Sequence, residues 1–167
     1  MTAPSERPPK CISTQEQVPE QLHAYLQFLC WRYEWRNGRW TKVPMNPRNG
    51  KAASVDDAAT WADLENTLQR AVELDCDGVG FVFTHTDPFC GIDLDHCLDS
   101  QTGEITEQAA EIVALLDSYT EISPSGTGLH IIVRGKPTCD RQRAQGVEVY
   151  GWGHYLTITG RSYGGAS

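Results

Sequence analysis

The sequence predicts an α+β fold, a largely antiparallel sheet flanked by helices. Three observations point there. Strand-like segments outnumber helical ones along the chain. Asn37-Gly38 between aromatic-rich flanks is a strong hairpin signal, and such signals outnumber strand–helix–strand alternation. The 167 residues, 40% of them hydrophobic, suit one core of ordinary size. Residues 1–18 read as a flexible leader and 19–167 as a single domain, which can stand alone or form the N-terminal part of a longer protein.

The elements follow in order. Pro19 to Trp31 has helical spacing, with Leu22, Tyr25, Leu26 and Leu29 on one face. The hairpin around Asn37-Gly38 comes next, then a turn-rich loop from Pro44 to Gly50. Asp56 to Thr60 suits a short helical turn. Thr60 is the expected N-cap of a helix from Trp61 to Leu74, striped by Trp61, Leu64, Leu68 and Val72. Val79–Phe83 and Gly91–Asp95 read as strands. Thr106 is the expected N-cap of a helix to Asp117. Further strands are expected at Tyr119–Ile122, Leu129–Arg134, Val147–Tyr150 and Tyr155–Thr159, with a Gly/Ser/Pro loop at Ser123–Gly128.

Composition narrows the function classes. No apolar run approaches the roughly 18–20 residues of a membrane span, and Met1–Lys10 has no apolar signal core. A soluble cytoplasmic protein is expected. Six cysteines (Cys11, Cys30, Cys76, Cys90, Cys97, Cys139) include no C-x-x-C pair, so free thiols are expected. The net charge of −8 argues against a large nucleic-acid surface. Its distribution qualifies this: residues 1–50 carry +3, 51–117 carry −13 and 118–167 carry +2. Basic surface is therefore available at both ends. In the first part, Arg32, Arg36, Arg39 and Arg48 are interleaved with Trp31, Tyr33, Trp35 and Trp40, a composition suited to single-stranded nucleic acid or to hairpin packing.

Three motifs carry chemistry. In Gly91-Ile92-Asp93-Leu94-Asp95, strand alternation turns Ile92 and Leu94 to a core and Asp93 and Asp95 to the other side. Two carboxylates on Cα atoms about 6.7 Å apart along a strand repel unless a cation joins them, and hard divalent ions prefer oxygen ligands. In Ser123-Pro124-Ser125-Gly126-Thr127-Gly128-Leu129-His130, the glycines permit positive φ and close backbone approach, so exposed N–H groups can cradle phosphate. This is not a Walker A loop, because no Gly-Lys-Ser/Thr ending follows. In Val147-Glu148-Val149-Tyr150, Glu148 and Tyr150 share the face opposite the valines. Each motif also has a plain reading as a solvated face or surface loop. Together they supply three carboxylates, a phosphate-sized loop and one histidine, an outfit for two-metal phosphoryl or nucleotidyl transfer. His23, His85 and His96 have no matching metal partners and read as structural or surface groups.

In this order, these motifs and Tyr155-Leu156-Thr157-Ile158-Thr159-Gly160 resemble the primase-polymerase domain of the archaeo-eukaryotic primase superfamily. The closest likeness is to the branch found in phage and plasmid replication proteins. Lys42-Val43-Pro44-Met45-Asn46-Pro47, Ala52-Ala53-Ser54 and Thr60-Trp61 resemble the same branch, so the likeness runs from Trp40 to Gly160. The resemblance implies a recognition-motif-like catalytic core. It implies that Asp93, Asp95 and Glu148 hold two Mg²⁺ or Mn²⁺ ions, and that Ser125, Gly126, Gly128 and His130 bind the incoming triphosphate, with Lys42 nearby. The implied activity is primer synthesis and extension from NTPs or dNTPs on single-stranded DNA, with a primer strand and a fused or separate helicase as partners. One departure is His154, where the branch often has arginine. Two other readings use the same residues: a metal-dependent nuclease or phosphodiesterase, and an inactive nucleotide- or DNA-binding replication module.

Overall fold

A computed structural model describes residues 5–164. The chain forms β1 (Phe28–Arg36), β2 (Arg39–Met45), α1 (Leu64–Glu73), β3 (Gly78–Phe83), β4 (Phe89–Leu94) and α2 (Glu107–Leu116). It continues with β5 (Thr120–Ile122), β6 (Leu129–Arg134), β7 (Arg141–Ala144), β8 (Val147–Tyr150) and β9 (His154–Ile158). The fold is α+β, but the strands divide into two antiparallel sheets rather than one. Their orders are β2-β1-β3-β9 and β5-β6-β4-β8-β7. Among the described residues, no helix is long and apolar enough to cross a membrane.

Alternation along β4 sets the relation of the sheets. Cys90, Ile92 and Leu94 pair with Val133, Ile131 and Leu129 of β6. Ile92, Leu94, Leu129 and Ile131 share a core with Ala109 of α2, against which Ile112, Val113 and Leu116 also pack. Phe89, Gly91 and Asp93 point the other way. There Phe89 and Ile132 join Phe28, Val79, Phe81, Phe83, Leu156 and Ile158 of the first sheet, together with Leu64 and Ala71 of α1. Phe81 stands edge-on to both Phe83 and Phe89. Gly91 has no side chain for a packing reason: a Cβ there would lie 2.6 Å from the Phe83 ring.

Residues 5–18, within the expected leader, lie against the body of the protein, while its first four residues fall outside the described range. Arg7 pairs with the buried Asp77 at 2.7 Å, the Cys11 amide donates to the Asp77 carbonyl, and Val18 is buried.

Several expectations are corrected. The helix over Pro19–Trp31 does not form. A 3-10 turn covers Glu20–Leu22, and Phe28 to Trp31 enter β1 with all four residues buried. A strand covered on both faces has a continuous apolar run, which periodicity alone does not distinguish from a helix. Leu26, placed on the apolar stripe, is exposed. The helix expected from Trp61 begins at Leu64, with Asp63 rather than Thr60 as its N-cap; the Asp63 carboxylate accepts from the Asn66 amide. Its buried face is Leu64, Thr67 and Ala71, and Val72 is exposed. The strand expected to reach Asp95 ends at Leu94.

Other expectations hold. Asn37 and Gly38 both have positive φ and join β1 to β2. Thr106 caps α2, its hydroxyl accepting from the Ala109 amide. The cysteines described are all free.

The close approach at Gly91 yields a prediction. Gly91→Ala forces the buried Phe83 ring or β4 to shift, and overpacking of this kind costs about 1–3 kcal/mol. Urea unfolding should show that loss; an unchanged midpoint would contradict the close approach of the sheets at this point.

Candidate active site

Register builds the site. Asp93 of β4 is directly opposite His130 of β6 on one side and Glu148 of β8 on the other. His130 is in turn opposite Glu121 of β5, and Glu148 is opposite Arg143 of β7. Residues directly opposite one another in antiparallel strands present their side chains to the same face. Five polar groups therefore form one row across the second sheet. The row lies on the face of β4 that carries Phe89 and Gly91, at the end of the core between the sheets.

The first sheet completes a cleft of about 210 Å³. Lys42, Tyr155, Leu156 and Thr157 line it from that side, and Asp93, His130 and Tyr150 from the other. Gly80 makes room for this wall: a Cβ there would stand 2.7 Å from the Tyr155 ring. The Thr157 hydroxyl is buried without a hydrogen-bond partner among the described residues.

The structure thus brings Lys42, Asp93 and His130 together and aligns Glu148 with them. Asp95 stands just past the end of β4 in an exposed turn, its amide donating to the Gly146 carbonyl at 3.0 Å. Ser125, Gly126 and Gly128 form a loop at the same end of β4 but do not line the cleft. Gly126 closes a turn with φ of +76° and its amide on the Ser123 carbonyl. Gly128 serves close packing: a Cβ would stand 2.7 Å from the Leu94 carbonyl oxygen. The Ser125 hydroxyl lies within hydrogen-bond distance of both Ser123 and Thr127 hydroxyls. Arg161 donates to the Ser123 carbonyl at 2.6 Å, setting a guanidinium at the base of the loop.

The carboxylates differ in their surroundings. The carboxylate of half-buried Asp93 accepts no hydrogen bond from any described residue; its nearest cation-forming neighbour is His130 Nε2 at 3.7 Å. Desolvation pushes its pKa above the usual aspartate range, His130 and Lys42 oppose that, and Asp95 and Glu148 add to it. Glu148 is buried and fully engaged. Tyr150 donates to it at 2.6 Å, Arg141 Nη2 lies at 2.9 Å and Arg143 Nε at 3.4 Å. Burial alone raises its pKa, but these donors bring it below the usual glutamate range. Lys42 is exposed as a residue, yet its ammonium is crowded enough that desolvation lowers its pKa, against the pull of Asp93 and Asp95.

An all-oxygen pair, Asp93 and Asp95, with Asp93 lacking any donor, fits a hard divalent cation. Glu148 joins them only by leaving its arginines. As the side chains stand, no three His, Cys, Asp or Glu groups among the described residues form a ready metal cage.

Sequence reasoning missed Glu121, Arg141 and Arg143. Glu121 is wholly buried, and its oxygens accept from the Thr159 and Gly160 amides and from the Tyr119 hydroxyl. Its only advance signal is an acid between Thr120 and Ile122 in a predicted strand. Strand β7 is exposed throughout and polar but for Ala144, so it has no apolar alternation to read. Its signal is the Gln145-Gly146 pair, both at positive φ, which closes the hairpin to β8. The arginines interleaved with aromatics near residue 35 are separated by strand alternation. Arg32, Arg36 and Arg39 share a face with Glu34, while Trp31, Tyr33, Trp35, Trp40 and Lys42 share the other. Trp31 is wholly buried, with its indole N–H on the Val79 carbonyl.

These charge states give opposite stability effects. An acid whose folded pKa is raised costs stability once ionised. Asp93→Asn should therefore raise Tm in EDTA at pH 8, by about 2–4 °C per kcal/mol gained. The gain should disappear below about pH 4, where Asp93 is protonated in both states. Glu148→Gln should cost about 1–3 kcal/mol at pH 8, a loss that fades as pH falls through the depressed Glu148 pKa. Thermal melts across pH check both; a lower Tm for Asp93→Asn at pH 8 would contradict the desolvated placement of Asp93.

No protein-family model matches the chain. Over 150 aligned residues it is 42% identical to a DNA primase-polymerase of Nitratiruptor phage NrS-1. The alignment covers 86% of this chain and 20% of that relative, so the chain spans about one fifth of the relative's length. The resemblance carried by the sequence motifs is thereby borne out: over most of its own length, this chain is a relative of a phage DNA primase-polymerase.

Proposed function

We propose that this chain is a primase-polymerase catalytic domain that transfers nucleotides from NTPs or dNTPs to a primer on single-stranded DNA. The observation that carries this reading is the alignment of Glu148, Asp93 and His130 on three adjacent strands, with Asp93 and His130 lining a cleft that also holds Lys42. Relatedness to a phage DNA primase-polymerase supports it. The two antiparallel sheets, with α1 packed into their shared core and α2 on the far face of the second, are compatible with a recognition-motif-like core.

In this reading, Asp93, Asp95 and Glu148 hold Mg²⁺ or Mn²⁺. Such ions, when bound, supply charge neutralisation and Lewis acidity at the reacting phosphate. The chain's own groups do the positioning. His130 and Lys42 offer nitrogen donors to phosphate oxygens from opposite walls of the cleft. Ser125, Gly126 and Gly128 supply backbone and hydroxyl groups at the end of β4, where Arg161 adds positive charge. Tyr155, packed over Gly80, shapes the wall between Lys42 and Thr157. The template runs outward along Trp40 and Trp35, which share the Lys42 face of the β1–β2 hairpin and are only partly buried. Aromatic faces there are suited to base stacking. A helicase, fused or separate, is the expected partner in replication.

Asp93→Ala combined with Asp95→Ala should reduce primer extension on single-stranded template with Mg²⁺ or Mn²⁺ by at least about 10²-fold, with the circular dichroism spectrum unchanged. Extension near the wild-type rate by the folded double variant would overturn the reading.

A further inference from the structure

His130 has two ring nitrogens with different surroundings. Nδ1 lies 3.0 Å from the Thr157 carbonyl and 3.3 Å from Glu121 Oε1, both acceptors and both buried. Nε2 faces Asp93 and the cleft. A nitrogen between two acceptors must carry the proton. The ring is therefore oriented with Nδ1–H inward and Nε2 outward.

Glu121 is built to hold that orientation. It has no exposed surface, and the other hydrogen bonds of its carboxylate among the described residues are also with donors: the amides of Thr159 and Gly160 and the hydroxyl of Tyr119. The donors converge on both oxygens, so neither face of a neutral amide at this position would be free of a donor–donor clash. The same carboxylate spans β5, β6 and the residues just after β9, and so ties the first sheet to the second beside the cleft.

We infer that Glu121 is a positioning residue for phosphate binding: with the Thr157 carbonyl, it holds Nδ1–H inward, so that Nε2, which must itself carry a proton to donate to a phosphate oxygen, is the nitrogen presented to the triphosphate. This rests on the proposed role of His130 as a triphosphate ligand. Glu121 itself does not line the cleft. Its effect passes through the histidine, as outer partners orient ligating histidines elsewhere.

Two measurements test this. The first uses the unaltered protein: long-range ¹H–¹⁵N correlation spectra report which His130 nitrogens carry protons. Protonated Nδ1 is expected; a bare Nδ1 would overturn the inference. The second is a double-mutant cycle read by the dissociation constant of a fluorescent deoxynucleoside triphosphate with Mn²⁺. Glu121→Gln should weaken binding about tenfold in the wild-type background and change it little in the His130→Ala background. An equal loss in both backgrounds would make Glu121 a purely structural group and overturn the inference alone. Unweakened binding by His130→Ala would instead remove the triphosphate role of His130, and this inference with it. Tyr119→Phe, which deletes a donor to Glu121 without touching His130, should leave the affinity near wild type. Should Glu121→Gln not fold, Glu121→Asp keeps the charge but withdraws it from His130, and the same cycle applies.

Discussion

Cross-strand register is the constraint from which the site follows. In antiparallel sheets, opposed residues share a face, and a slip of one position sends every side chain to the other side. Here the pairings Glu121–His130, His130–Asp93, Asp93–Glu148 and Glu148–Arg143 share one line. The apolar partners of the same strands, Ile92 with Ile131 and Val149, hold that register through the core under α2. Hydrophobic packing on one face of the sheet thus sets the alignment of charges on the other.

The row is graded in satisfaction. Glu121 is saturated with donors, Glu148 is balanced by two arginines and a tyrosine, and Asp93 between His130 and Glu148 receives no hydrogen bond. An ionised group with no donor in a partly dry cleft costs stability, and functional sites tolerate such costs. Asp93 is at once the least satisfied carboxylate of the row and the one that lies beside His130 and faces Lys42 across the cleft. Glu148 meanwhile has a neutralised resting state against the arginines of edge strand β7, which explains why Asp93 and Glu148, though aligned, are not part of a metal cage among the described residues.

Much of this was legible in the chain. Alternation within β4, β6 and β8 put Asp93, His130 and Glu148 opposite apolar faces, and the strand limits of β6 and β8 agree with the structure. What alternation does not report is which strands are neighbours, and Glu121 becomes meaningful only once β5 is known to flank β6. Edge strand β7 was illegible because solvent, not a core, covers it. The misread helix before Trp31 has the opposite cause: Phe28–Trp31 is buried on both faces and lacks alternation. The aromatic and basic residues of the hairpin show a third limit. Interleaving in sequence is separation in a strand, so Arg36 and Arg39 lie across the sheet from Trp35 and Trp40.

The central claim is that the aligned acids receive divalent cations beside a triphosphate held from His130. The most direct measurement is a crystal structure with Mn²⁺ and a non-hydrolysable deoxynucleoside triphosphate, using the anomalous signal of manganese to locate the metal. The account predicts manganese bound by Asp93 and Asp95, Glu148 turned from Arg141 and Arg143 toward the metal, and His130 Nε2 on a phosphate oxygen. Manganese and triphosphate bound elsewhere, with Asp93 unliganded and Glu148 still on its arginines, would contradict it.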